Sequence, residues 1–343
     1  TTRSQYFPQI SAGFEPGASH SGSRTTQSYQ ATVNATWELD LWGKIRRSSE
    51  AAQANIVGSE AGRRAVIMTV VSNVASGYIT LRGMDRQLEI ARDTEKAYAE
   101  SLKLFQLRFK HGTVSGLELA QAESNYESAR QAIPNYESLV RQQENMISLL
   151  LGRAPGPIPR GKTIDELVPP GIPAGLPSLL LERRPDIIQA EQNLIAANAE
   201  IGVAKAAYFP KISLTGALGV SSGDISKLFV PGAGIWSAGA QLAQPLFNFG
   251  QTAGQVKQAE SQQQQAMYQY QQTILTAFRE VEDALIKTTK GREQLDAQKR
   301  QVASLAEYDR LARLQFEAGT SNYLQVLDAD RSLFTGKLDK TKT

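Results

Sequence analysis

The chain has 343 residues, is 41 % hydrophobic with a mean hydropathy of −0.32, and carries a formal net charge of only +3. A charge so small, with no long basic run, excludes a nucleic-acid partner, and the absence of cysteine excludes a disulfide frame and a thiolate metal site. No stretch approaches the roughly 18 apolar residues expected of a membrane-spanning helix.

The first element is a strand pair. From 28 to 41, Tyr29, Ala31, Val33, Ala35, Trp37, Leu39 and Leu41 alternate with Ser28, Gln30, Thr32, Asn34, Thr36, Glu38 and Asp40. A period of two predicts a strand with one apolar and one polar face. Its length suits a tilted membrane-spanning strand, which needs roughly 9–11 residues. Ile10, Ala12 and Phe14 precede it in phase, and the stretch Pro16 to Arg24 is expected as a loose loop between them. This hairpin occupies 1–42.

Helix is expected over 43–151, broken by a reversal at 111–116. A helix from Lys44 to about Lys110 would be roughly 100 Å long, a rod that ordinary globular domains do not need. Residues 152–185 carry eight prolines and are expected as an irregular belt. Helix resumes over 186–207 in a run rich in alanine.

A second hairpin is expected over 208–249. Ile212, Leu214, Leu218 and Val220 form one face of its first strand, and Trp236, Ala238, Ala240 and Leu242 one face of the other. Helix then fills 250–343, with a reversal at 318–322. Its first limb carries a heptad seam spaced 4,3,4,3 from Tyr270 to Phe316, several of whose members, Thr288, Gln298 and Asp309 among them, are polar or small.

The chain therefore repeats itself. Tyr6-Phe7-Pro8-Gln9-Ile10-Ser11 returns as Tyr208-Phe209-Pro210-Lys211-Ile212-Ser213, and Leu41-Trp42-Gly43 is echoed by Asn248-Phe249-Gly250. Gly43 to Gly112 and Gly250 to Gly319 are both 69 residues. Equal intervals are what two rods of fixed length leave in a sequence. The fold class read from this is α+β: four strands of a membrane β-barrel per copy, continued by long helices.

Four strands cannot close a barrel, and an open edge cannot face lipid. If the alternating face meets lipid, several copies share one barrel, and its polar inward face suits water. Aromatics at strand ends (Trp37, Trp42, Trp236, Phe209) lean towards a bilayer girdle. The alternation also suits two amphipathic hairpins on a soluble core. A trimeric coiled-coil stalk without conduction is a further rival.

An enzyme is not expected. His20 and His111 lie in unrelated segments, and no metal-ligand spacing, nucleophile elbow, phosphate loop or cofactor motif occurs. The chain starts without methionine and ends within a helical pattern, so it is expected to be a fragment trimmed at both ends.

One stretch carries a specific resemblance: Glu182-Arg183-Arg184-Pro185-Asp186-Ile187, Ala190-Glu191, Ala196-Ala197-Asn198-Ala199-Glu200-Ile201-Gly202, and Tyr208-Phe209-Pro210-Lys211-Ile212-Ser213-Leu214. In these residues, and in the segments after Gly112 and Gly319, the chain resembles the TolC-like outer membrane factors, in particular their multidrug efflux branch coupled to RND-type pumps. The signature at Arg184-Pro185-Asp186 favours that branch over type I protein secretion.

The resemblance implies a passive outer-membrane exit duct, often a lipoprotein, of a Gram-negative bacterium. It implies a homotrimer with a twelve-stranded barrel in outer-membrane lipid and a twelve-helix periplasmic tunnel with an equatorial belt. Its partners would be a periplasmic adaptor protein and an inner-membrane pump, with no cofactor and no metal. It places a periplasmic gate at Leu324, Asp328 and Arg331, with Gln325 where some relatives carry a second aspartate. It places the adaptor-contacting tips at Gly112, Thr113, Val114 and Ser115, with Glu118 as a locking carboxylate, and at Gly319, Thr320 and Ser321.

Overall fold

A computed structural model describes residues 2–168 and 182–342. In chain order these form β1 (Gln9–Ser21), β2 (Arg24–Glu38), α1 (Lys44–Lys110), α2 (Gly116–Leu150), α3 (Pro185–Ala206), β3 (Lys211–Ser222), β4 (Gly234–Ala243), α4 (Gln251–Glu317) and α5 (Tyr323–Lys342). The part of the expected belt at 169–181 lies outside the described residues. Two compact units are present: Thr1–Ala65 with Leu176–Ala277, and Val66–Gly175 with Phe278–Thr343.

The first unit holds one antiparallel sheet in the order β1-β2-β3-β4. The first hairpin differs from its sequence reading. β1 continues through Pro16 to Ser21, where a loose loop was expected, and the connection is only Gly22-Ser23. Gly22 takes φ +61 at the first central position, the pattern of a tight type II′ hairpin turn. Pro16 and its neighbours gave a loop signal, but an edge strand tolerates a proline whose missing N–H faces away from the ladder. β2 ends at Glu38, although Leu39 still donates to Ile212 O at 3.0 Å.

At the end of β2 the chain turns into α1. The Asp40 carboxylate accepts from Ile45 N at 2.9 Å and Arg46 N at 2.8 Å, satisfying donors that the first helical turn leaves free. Ala51 and Ala54 of α1 meet Ala196 and Ala199 of α3 in a buried cluster of small side chains. The alanine run of α3 thus does what its composition suggests: it lets two helix backbones approach closely.

α1 and α4 are each 67 residues long. On α4 the expected heptad seam is the less exposed stripe, with Ala277 and Ala312 fully buried and Ala284 the one exposed member. α1 also contains an 18-residue window of mean hydropathy 1.2 with at most two charges, of which 11 % is buried in the chain. That corrects the expectation that no such stretch exists. By length and composition alone it is weak evidence for a spanning helix.

In the second unit, residues 153–168 fasten onto α1 and α2. Ile158 joins Leu81, Val140 and Ile147 in a buried cluster. Arg160 reaches Asp85 (2.9 and 3.1 Å) and the buried Glu144 (2.6 Å). Arg82 Nε donates to Lys162 O at 2.9 Å, and Gly161 N donates to the Tyr78 hydroxyl at 2.7 Å. Burial alone would push the Glu144 carboxyl up, but Arg160, the Ile158 N–H and Arg141 outweigh it and hold Glu144 below the usual carboxylate range.

Candidate functional site

The two reversals of the second unit are built alike. At the end of α1, Gly112 takes φ +69 and donates to Phe109 O, while Thr113 N and Oγ1 both donate to Arg108 O at 2.9 Å. At the end of α4, Gly319 takes φ +72 and donates to Phe316 O, while Thr320 N and Oγ1 both donate to Gln315 O at 3.0 Å. This is the Schellman pattern, and its left-handed residue is why glycine stands at both places.

The restarts differ. Ser115 caps α2 in a reciprocal box: Glu118 N donates to Ser115 Oγ, and Ser115 N and Oγ donate to Glu118 Oε2 at 2.7 and 3.0 Å. Glu118 therefore closes the turn of its own chain. At the second reversal Asn322 Oδ1 accepts from Gln325 N at 3.2 Å, and Ser321 Oγ donates to Gln325 Oε1 at 2.5 Å.

Behind the reversals lies a core that the sequence reading did not single out. Phe105, Ala122, Ala312, Tyr323, Val326 and Ala329 are buried together, with Val114 and Leu119 packed against them. The Phe105 and Tyr323 rings lie 4.2 Å apart, and Phe316 sits 5.4 Å from Tyr323. Four helices contribute, so both reversals rest on one aromatic anchor. The signal was available: Tyr323, Val326 and Ala329 recur at helical spacing.

That anchor fixes the rotation of α5. With Tyr323, Val326 and Ala329 inward, Leu324, Asp328 and Arg331 share the exposed face. Among the described residues no ion pair joins Asp328 to Arg331. Asp328 Oδ2 instead accepts from the Tyr308 hydroxyl of α4 at 3.1 Å. Leu324 is 57 % exposed, an apolar side chain held out beside two charges.

One turn away lies a charge cluster also absent from the sequence reading. Arg313 Nε donates to Asp309 Oδ1 at 3.1 Å, and Arg313 Nη2 donates to Asp330 Oδ1. Desolvation and the adjoining Asp309 carboxyl push Asp330 up to about 7, against the pull of Arg313. Burial, with Asp330 nearby, likewise pushes the Tyr98 hydroxyl up to about 12. Asp309 was legible as a polar seam member with Arg313 one turn on along α4, but the approach of Asp330 from α5 was not.

In the first unit, Trp42 stacks on Phe209 at 4.8 Å, and its Nε1 donates to Pro210 O at 2.8 Å. Trp37 Nε1 donates to Tyr6 O at 3.0 Å. These three aromatics stand at the helix end of the sheet, whereas Trp236 stands at the opposite end, near the start of β4, and is 79 % exposed.

Residues 1–153 and 176–341 match the family described as outer membrane efflux protein. The chain belongs to this family. It is 38 % identical over 338 residues to the cation efflux system protein CusC of Escherichia coli K12, which covers 97 % of this chain and 74 % of that protein. It is 36 % identical over 345 residues to the toluene efflux pump outer membrane protein TtgC of Pseudomonas putida DOT-T1E, covering 98 % and 71 %. A crystal structure of CusC superposes with a TM-score of 0.92 at 36 % identity, covering 99 % of this chain and 80 % of that one. An open-state structure of the Neisseria gonorrhoeae MtrE outer membrane channel gives 0.90 at 30 % identity, covering 99 % and 78 %.

The α+β architecture is accordingly that of an outer-membrane channel. This outer membrane factor is the exit duct of a tripartite efflux pump in a Gram-negative outer membrane, with a helical periplasmic portion. The relatives are channel components and not enzymes.

Proposed function

We propose that three copies assemble into one duct. Twelve strands, four from each copy, close a water-filled barrel in outer-membrane lipid, and the helices continue it as a periplasmic tunnel. The hairpins are 1–42 and 208–249, the tunnel helices lie in 43–151, 186–207 and 250–343, and 152–185 forms the belt. Aromatics at Trp37, Trp42, Phe209 and Trp236 mark the bilayer interfaces.

The gate is Leu324, Asp328 and Arg331. Three copies of the exposed α5 face around one axis would form an apolar ring and two charged rings. The observation that carries this reading is the rotation of α5: burial of Tyr323, Val326 and Ala329 leaves those three side chains together and unburied. The tips at Gly112, Thr113, Val114, Ser115, Glu118, Gly319, Thr320 and Ser321 meet a periplasmic adaptor, which links the duct to an inner-membrane RND-type pump.

The cargo is small molecules, drugs among them, moved passively. CusC is named for cations and TtgC for toluene.

Planar-bilayer recording of the full-length protein tests the gate. The wild type should pass small, intermittent currents, and Asp328→Ala with Arg331→Ala should raise the open conductance several-fold. No current from either protein would sink the channel gate. Drug susceptibility of a deletion strain separates efflux from protein export.

A further inference from the structure

The register sorts the sheet into two faces. Gln9, Ser11 and Glu15 of β1 share one with the even-numbered residues of β2 from Ser28 to Glu38 and with Lys211, Ser213 and Thr215 of β3. The other face carries Ile10, Phe14, Val33, Trp37, Leu218 and Leu242, all exposed. In a shared barrel the apolar face meets lipid, so the polar face lines the water.

At the helix end of the polar face one carboxylate holds two ammonium groups. Lys211 Nζ lies 2.9 Å from Glu38 Oε2, and Lys44 Nζ, from the first turn of α1, lies 3.2 Å from Glu38 Oε1. Among the described residues neither lysine has a second carboxylate partner. The three groups therefore carry one excess positive charge per copy. The lysine side chains are 51 % and 55 % exposed and that of Glu38 only 26 %, so the excess is presented to water. Exposed pairs of this kind contribute little to stability, and the charge count is what the arrangement supplies.

The surroundings leave that charge standing. Three strands and two helices converge here on a cavity of about 350 Å³, whose other members include Gln9, Thr36, Ser48 and Val203, all uncharged. At the same turn Asp40 and Arg46 add one charge of each sign, and Arg47 is paired with Glu50. Glu15, the next carboxylate on the polar face, lies opposite Gln30. That is eight residues up β2 from Glu38, or about 27 Å along the strand, more than two Debye lengths at about 0.1 M salt.

We propose that Lys44 and Lys211 of each copy form a positive collar where barrel passes into tunnel, and that this collar favours anions among the small solutes that cross. The proposal rests on the reading that copies share one water-filled barrel. Twelve strands about 4.8 Å apart and tilted by about 40° enclose a wall of radius about 12 Å. Lysine side chains reach inward from that wall. With a Debye length of about 8–10 Å in dilute salt, their field spans most of the opening, and at about 1 M salt it shrinks to about 3 Å. Rings of lysine or arginine select anions in other pores by the same means.

Planar-bilayer reversal potentials across a KCl gradient averaging about 0.1 M test the collar. The parent is the full-length protein with Asp328→Ala and Arg331→Ala, whose gate face then carries no charge. Lys211→Gln removes the excess charge and should lower the chloride-to-potassium permeability ratio roughly twofold. Glu38→Gln releases both ammonium groups and should raise the ratio by a similar factor. Lys211→Arg keeps the charge and should keep the ratio. All differences should vanish at about 1 M KCl. Lys44→Gln repeats the first arm from a helix surface, should Lys211→Gln fail to assemble. A ratio that is the same in every conducting variant, or that moves in one direction for both Lys211→Gln and Glu38→Gln, overturns the collar and leaves the duct standing. No current from any of the proteins overturns the duct, and the collar with it.

Discussion

Asp330 shows how one largely buried side chain couples charge to the packing of α5. Its pKa is raised to about 7, so the folded chain holds a proton that the unfolded chain has released. For an acid shifted upward, stability falls as pH rises between the unfolded value, about 4, and the folded one, at a slope of at most about 1.4 kcal/mol per pH unit. Asp330→Asn should flatten that slope, and thermal melts of the full-length protein at pH 5 and pH 8 measure it. An unchanged difference between the two melts would refute the assignment. Glu144 behaves oppositely, because it is buried and ionised against Arg160 and Arg141. Glu144→Ala leaves Arg160 with Asp85 alone and the buried Ile158 N–H without its acceptor, and should destabilise the second unit by about 2 kcal/mol, seen as earlier urea unfolding and faster proteolysis within 153–168.

At the scale of elements, the reversals depend on backbone geometry that only glycine adopts cheaply. Gly112 and Gly319 have open space where a Cβ would go, so a substitution there acts through φ alone. Gly319→Ala should cost about 1 kcal/mol, confined to the second reversal and read as faster amide exchange at 318–322 with α1 unaffected. Much of this level was legible in the sequence. The 69-residue interval predicted two rods of one length, and Gly112 and Gly319 announced their ends. The aromatic anchor, the Tyr308–Asp328 bond and the Asp309–Arg313–Asp330 cluster were not legible, because each joins helices whose relative rotation a linear pattern does not specify. The β1–β2 turn was misread for a local reason. Pro16, Gly17 and Ser19 have turn composition, and only the partner strand makes them a ladder.

At the scale of the whole molecule, the question is whether the two edges are ever free. In hydrocarbon each unpaired backbone group costs several kcal/mol, so an open edge of ten or more residues has no stable place there. The ladder shows which groups are at stake. Ser221 N donates to Ala233 O at 2.8 Å, so by alternation the N–H of Ser237 turns towards β3 and that of Ala238 turns away, to the open edge. Proline at such a position costs a free edge strand nothing and a paired strand one ladder bond, a single loss that β1 already carries at Pro16. Ala238→Pro leaves every bond of its own hairpin in place. It should nevertheless lower the yield of heat-resistant oligomer in outer membranes at least tenfold, as should Ser237→Pro, which breaks the hairpin itself. If Ala238→Pro matched wild type while Ser237→Pro failed, β4 would be an edge in the native protein, and the barrel would have to close without it.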